Sequence, residues 1–202
     1  MSKCRIYLSG AHSTGKTTIL NDLKPHLNLQ FEEEIARRVI RKFSWKRDDF
    51  LPKTQPENFL KLNEEILRRQ IQTDEENGRI SKDFISDRCI DPLIYVQKYI
   101  GDVALRKLRE LPGVLEWTDR LKTALIFVIK PQKECIVDDE VRLSPKLEEL
   151  NAFHNSILRE YKLLGIPVFE ITDLDRQKRK AFILDKIQQR FPGVLISFQH
   201  SG

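Results

Sequence analysis

Cysteine is scarce in this chain. Cys4, Cys89 and Cys135 stand far apart, and none forms a C-x-x-C pair. That spacing argues against a structural zinc site and against a disulfide framework, and free thiols suit a cytoplasmic protein. Long apolar runs are lacking too. No stretch approaches the ~20 residues of a membrane span, and the N-terminus carries no apolar run of the signal-peptide kind. Neither an internal repeat nor a low-complexity linker interrupts the 202 residues, a length that suits one domain with a sizeable core. A large excess of one charge is also missing. Lys and Arg number 35 against 30 Asp and Glu, so the net charge is +5, which favours anionic ligands but is too small and dispersed to argue for nucleic acid.

Glycine is equally sparse, with eight in all, yet two of them bracket four residues in GAHSTGKTT, Gly10 to Thr18. The pattern is G-x-x-x-x-G-K-[ST], the phosphate-binding P-loop. Its spacing has a physical reason. A turn between strand and helix can point its backbone N–H groups inward as an anion nest, and the following helix adds the positive end of its dipole. Glycines allow positive φ and close approach of phosphate oxygens. Lys16 would reach the β- and γ-phosphates, and the hydroxyl of Thr17 would ligate Mg²⁺. The flanks fit. Ile6, Tyr7 and Leu8 form a strand pattern, and Ile19, Leu20, Leu23 and Leu27 form a helical stripe. Gly10, Ser13, Thr14, Gly15, Lys16, Thr17 and Thr18 are therefore the candidate nucleotide-binding residues. His12 reads as a non-catalytic residue of the loop.

Strand and helix signals alternate along the rest of the chain. LQFEEE reads as a second strand ending in acids, and IARRVIRKF as a basic helix. A loop follows over 44–56, and Pro56 opens a helix that stops near Asn77-Gly78. FISD (84–87) is a short buried strand. Asp91-Pro92 starts the next helix, with Asp91 as N-cap, and one further helix is expected over about 102–121. TALIFVIK is continuously apolar, as for a strand covered on both faces. Ser144-Pro145 caps a helix ending at Gly165, PVFEIT is a fifth strand, and Thr172 or Asp173 starts a last helix. Five strands separated by helices predict an α/β fold with a five-stranded parallel sheet and a ligand at the carboxyl ends of the strands. One domain is expected over 1–192, with a lid at about 133–143 and a tail over 193–202.

The remaining residues discriminate among P-loop proteins. A GTPase switch needs D-x-x-G and N/T-K-x-D, and neither is present. A motor ATPase usually ends a long apolar strand with an acid, whereas TALIFVIK ends in lysine and proline. A small-molecule kinase needs an acid on the strand beside the P-loop and arginines on a closing lid. FISDR supplies Asp87 and Arg88. VDDEVR supplies Asp138, Asp139 and Arg142, in a stretch without helical or strand period.

On these pieces the chain resembles the NadR-type P-loop kinases, which are grouped with AAA-like domains and built like nucleoside and nucleoside-monophosphate kinases. The matching segments are LSGAHSTGKTT, EEIAR (Glu33–Arg37), SDRCIDPLIY (Ser86–Tyr95), VDDEVR (Val137–Arg142) and the basic DLDRQKR that opens the last helix. They span most of the chain. The P-loop is shared by a superfamily, while E-x-A-R and D-R-x-x-x-D-x-x-x-Y are more diagnostic. One departure is Glu140, where the family's lid often has glycine, which implies a stiffer or differently shaped lid.

The resemblance implies ATP-dependent phosphoryl transfer, with Mg²⁺, to a small acceptor such as a nucleoside or nucleotide. Asp87 would activate the acceptor hydroxyl or position Mg²⁺, with Lys16 and Arg142 as the other catalytic groups. Glu34 lies where deoxynucleoside kinases carry a base, although Glu32-Glu33-Glu34 also reads as a solvated strand end. Arg37 and Arg88 are the expected acceptor contacts, and Arg37, Arg38, Arg41 and Lys42 also read as a solvated helix face. Trp45, Phe50 and Phe59 can stack on a base, but aromatics at such edges usually belong to the core. Two other functions fit the same motifs. One is a nucleotide-binding regulator with little turnover, for GTP or ATP. The other is a polynucleotide 5′-kinase, which the modest positive charge favours only mildly.

Overall fold

The computed structural model describes residues 3–32, 34–80, 82–135 and 147–196. Strands β1 (Arg5–Ser9), β2 (Gln30–Glu32), β3 (Phe84–Asp87), β4 (Leu125–Ile129) and β5 (Phe169–Ile171) form one sheet in the order β2-β3-β1-β4-β5, and every pair is parallel. The helices are α1 (Lys16–Leu23), α2 (Ile35–Phe43), α3 (Pro56–Arg79), α4 (Asp91–Tyr99), α5 (Asp102–Arg109), α6 (Val114–Leu121), α7 (Leu147–Leu163) and α8 (Arg176–Arg190). The expected α/β architecture with five parallel strands is the observed one. No helix among the described residues is long and apolar enough to cross a membrane.

The period of two in the strands divides the core. Ile6 and Leu8 of β1, with Leu125, Phe127 and Ile129 of β4, meet α1 and α8 through Ile19, Leu20, Ile183 and Ile187. Tyr7, Ile126 and Val128 point to the other face, where Leu67, Leu93, Trp117, Ile157 and Tyr161 cover them. β3 and β4 are buried along their whole length, which explains the unbroken apolar sequence of β4, while β3 ends in the buried polar pair Ser86 and Asp87. The edge strands β2 and β5 have three residues each, too short to offer a long open edge.

β1 is central, and the chain leaves it toward β2 and β3 on one side before crossing to β4 and β5 on the other. The strand order therefore reverses at β1, and in open α/β sheets ligands bind outside the carboxyl ends of the strands at such a point. The register sets Leu8 beside Asp87, and Glu32 beside Ser86. Chain ends of β1, β2 and β3 thus meet where the P-loop begins.

Three expectations need correction or fall outside the description. The single helix over 102–121 is two helices, α5 and α6, separated at Leu111-Pro112-Gly113. Pro112 has no N–H to donate and disfavours helical geometry at Leu111. Gly113 then takes φ +84°, and the apolar period resumes at Val114 and Trp117. The last helix starts at Arg176 rather than at Thr172 or Asp173. Asp175 is its cap, accepting from the amides of Gln177 (2.7 Å) and Lys178 (3.0 Å), while Asp173 accepts from the Asp175 amide two residues on. The Ser144-Pro145 cap and most of the 133–143 segment, with Asp138, Asp139, Glu140 and Arg142, lie outside the described residues. Of that segment, Lys133–Cys135 forms a 3₁₀ turn.

The α5–α6 break gives a test. A Cβ on Gly113 would stand 3.1 Å from Cγ2 of Ile71, on a backbone already in the left-handed region. Gly113→Ala should lower the stability by about 1–2 kcal/mol, the cost of a left-handed non-glycine residue. Urea unfolding checks this, and an unchanged midpoint would contradict the assigned turn.

Candidate functional site

β1 delivers the chain to Gly10, whose φ of +143° is a glycine conformation. A Cβ there would lie 2.8 Å from the carbonyl oxygen of Ile129, the last residue of β4. Gly10 thus lets the loop leave β1 pressed against the neighbouring strand. Ser13 (φ +57°) and Gly15 (φ +82°) turn the chain left-handed before α1 begins, with Gly15 at the N-cap. Successive backbone N–H groups of such a turn converge on one side, the geometry of an anion nest at a helix N-terminus. The Thr14 hydroxyl is buried and donates to the Ala11 carbonyl at 3.0 Å. Thr18 is exposed in the first turn of α1.

Lys16 is 5% exposed, and its Nζ donates to the carbonyls of Gly10 (3.0 Å) and Ala11 (2.6 Å). Burial pushes its pKa down to about 8, with Arg88 adding to the fall and Asp87, Asp91 and Glu34 opposing it. Its neighbour Thr17 donates its hydroxyl to Oδ2 of Asp87 at 2.7 Å. Oδ1 of Asp87 is buried and has no hydrogen-bond partner among the described residues. A buried carboxylate oxygen without a donor is costly, and a cation would relieve it. A threonine hydroxyl and one carboxylate are a fitting donor set for Mg²⁺, which keeps several waters and binds through phosphates rather than in an all-protein cage. Among the described residues no group of three or more His, Cys, Asp or Glu is placed to hold a metal ion by itself.

Arg88 follows β3 in the left-handed region at φ +90°, which costs a non-glycine residue about 1–3 kcal/mol. Its backbone N–H donates to the Leu8 carbonyl at 2.8 Å. The buried guanidinium reaches Glu34 through Nε at 2.7 Å and Asp91 at 3.5 Å. Burial opposes its charge, but Glu34, Tyr95, Asp91 and Asp87 outweigh burial and hold the pKa above its ordinary value. The second oxygen of Glu34 accepts from Nε of Arg37 at 3.2 Å, and Arg37 is largely exposed. Glu34 is thus a buried acid between two arginines, not a solvated strand end. Of its neighbours, Glu32 accepts from Nδ2 of Asn77 on α3 at 3.1 Å, and Glu33 lies outside the described residues. Arg142 also lies outside them.

Asp91 is not the N-cap expected from Asp-Pro. Its carboxylate bonds no amide of its own helix. It turns back to accept from the Cys89 amide (2.8 Å), the Gly10 amide (3.3 Å) and the Ser9 hydroxyl (3.3 Å). Pro92 does stand in the first turn of α4, as expected. Of the aromatics expected mainly as core, Phe59 is buried, and Trp45 and Phe50 are partly buried against a core cluster. Trp45 lies 4.4 Å from Phe43 and 6.4 Å from Phe50, against Ile35, Val39, Leu62 and Ile66, and Phe59 packs edge-on to Tyr99. His12 meets the Tyr95 hydroxyl through Nδ1 at 3.3 Å.

Arg179 was not singled out by sequence reasoning, although DLDRQKR ends on it. From α8 it reaches the P-loop. It is buried, donates through Nε to the Asp173 carbonyl, and places a terminal nitrogen 3.4 Å from the Thr14 carbonyl.

The fold and the loop after β1 are those of the P-loop proteins of the doubly wound α/β class. More narrowly, the chain belongs to the AAA domain family, whose model matches residues 5–179. No curated protein matches it significantly. Among solved structures, a NadR protein crystallised in complex with NR superposes with a TM-score of 0.72 at 20% identity, covering 96% of this chain and 52% of that one. The present chain therefore spans about half the length of that protein. Deoxyadenosine kinase from M. mycoides matches with a TM-score of 0.59 at 16% identity, over 92% and 99% of the two chains. Shikimate kinase from Acinetobacter baumannii matches at 0.53 and 14%, over 94% and 96%. At these identities the likeness is one of fold, shared with small-molecule kinases.

The depressed pKa of Lys16 sets a pH dependence. An anionic phosphate needs the protonated amine, so nucleotide affinity should fall as pH rises through about 8 in the free protein. Lys16→Arg stays charged and should keep whatever affinity it has to about pH 10. Equilibrium binding of AMP-PNP across this range checks it. A wild-type affinity that is level to about pH 10 would contradict the buried-lysine geometry.

Proposed function

We propose that the protein transfers the γ-phosphoryl group of ATP, or of another nucleoside triphosphate, to a hydroxyl or phosphate of a small acceptor such as a nucleoside or nucleotide. The observation that carries this reading is Asp87. It stands at the carboxyl end of the strand beside the P-loop, with one oxygen on Thr17 and the other buried without a donor.

Thr17 and Asp87 are the residues that would hold Mg²⁺, which when bound neutralises charge on the β- and γ-phosphates. The backbone of Gly10–Thr17 and the ammonium of Lys16 receive the phosphates and hold the chain in line for displacement. Asp87 accepts the acceptor's hydroxyl proton or orders the metal, and both roles use its buried Oδ1. Glu34, Arg37 and Arg88 form a charged rim beside the loop, suited to the hydroxyls or anionic groups of an acceptor. In-line transfer is mainly positioning and charge stabilisation, and this set of residues supplies both. The buried free thiols of Cys4 and Cys89 support a cytoplasmic setting.

Two variants test the reading. Lys16→Ala should reduce nucleotide binding or turnover by at least ~10²-fold with the fold intact, as for a lost preorganised charge contact. Near-normal affinity and turnover in folded Lys16→Ala would remove the P-loop from the account. Asp87→Asn should lower kcat far more than it weakens nucleotide binding. Equal losses in both quantities would make Asp87 a structural acid.

A further inference from the structure

Asp91 is a fully buried charge at this site that the proposed reaction leaves unused. Its environment has four donors from two loops. Ser9 and Gly10 belong to the entry of the P-loop, and they lie 82 and 81 positions away in the chain. Arg88 and Cys89 belong to the turn between β3 and α4. Oδ1 takes Gly10 N–H at 3.3 Å and the Arg88 guanidinium at 3.5 Å, while Oδ2 takes Cys89 N–H at 2.8 Å and the Ser9 hydroxyl at 3.3 Å. The carboxylate is therefore spread evenly over both loops. Arg88, which leaves β3 with left-handed backbone, is held there by such contacts: Glu34 on its Nε, Asp91 on a terminal nitrogen and the Leu8 carbonyl on its amide.

We propose that Asp91 is a positioning residue that ties the entry of the P-loop to Arg88, so that one buried carboxylate sets the nucleotide loop and the acceptor-side arginine in register. This rests on the phosphotransferase reading above. The rival account is that Asp91 merely neutralises a buried arginine and stabilises the fold. Asp74 offers a matched control. It is equally buried and lies on the same side of the sheet, but near the start of β1 rather than its end. It accepts from the Tyr7 hydroxyl (2.8 Å), Arg5 (3.0 Å) and Arg120 (2.7 Å), none of which belongs to either loop.

The test is calorimetric affinity for Mg²⁺ with AMP-PNP, paired with Tm, in the wild type, Asp91→Asn and Asp74→Asn. Asp91→Asn should bind roughly 10- to 100-fold more weakly, the range for a lost hydrogen-bonding charge. Asp74→Asn should lose at least as much Tm and stay within about twofold of wild-type affinity, since only stability is touched. Asp91→Asn within twofold of wild type overturns the proposal, as does an affinity loss in both variants that simply follows Tm. A wild type that binds no nucleotide overturns the P-loop reading itself, and is thereby told apart. Should Asp91→Asn not fold, amide exchange in the wild type decides. The Gly10 and Cys89 amides should exchange slowly without nucleotide, and exchange as fast as in an open loop overturns the proposal.

Discussion

A buried ammonium has to be compensated, and the arrangement around Lys16 follows from that need. Its folded-state pKa lies below the ordinary lysine value, so the group contributes stability above about pH 10.5 that is lost as pH falls through about 8. At neutral pH the charged Lys16 is a standing cost to the fold. The loop carbonyls of Gly10 and Ala11 offset part of it, and Asp87, Asp91 and Glu34 offset more. Those three acids come from the ends of β2 and β3 and the start of α4, which only the strand order β2-β3-β1 brings beside the P-loop. Arg88 works in the opposite direction, so its own pairing with Glu34 and Asp91 keeps the site from carrying unmatched positive charge. An anion placed in the nest relieves the lysine directly, which links the stability of the fold to the presence of phosphate.

The same acids gather where the strands end. Tyr7 and Ile6 face opposite sides of the sheet and bury apolar or satisfied groups. Beyond Ser9 the chain leaves the sheet ladder, and backbone N–H groups such as that of Gly10 are satisfied by side chains such as Asp91. The polar chemistry is thus concentrated in the few residues after each strand, while the strands themselves remain apolar.

Much of this was legible in sequence because the relevant signals are local. IARRVIRKF and FISD match α2 and β3 residue for residue, since each is a short periodic or continuous apolar run with a clear boundary. The P-loop was legible because its glycines are required by backbone angles that only they adopt easily. The misread features depend on less local facts. Residues 102–121 keep an apolar helical period on both sides of Pro112-Gly113, so the pattern alone joined two helices into one. Asp91 before Pro92 had a complete local explanation as a cap, and its true donors at Ser9 and Gly10 become neighbours only when β1 and β3 pair. Arg179 sat in a basic segment that reads as a solvated helix start, and its approach to Thr14 depends on how α8 packs over α1.

Phosphoryl transfer itself is the most direct test of the central claim. ATP labelled in the γ-phosphate should be incubated with Mg²⁺ and a panel of nucleosides, nucleotides and short oligonucleotides, and the products separated. The account predicts acceptor-dependent, Mg²⁺-dependent appearance of label on at least one nucleoside or nucleotide. Tight ATP binding with no labelled acceptor would contradict it and make the protein a nucleotide-dependent regulator, and label appearing only on oligonucleotide ends would contradict the small-molecule acceptor.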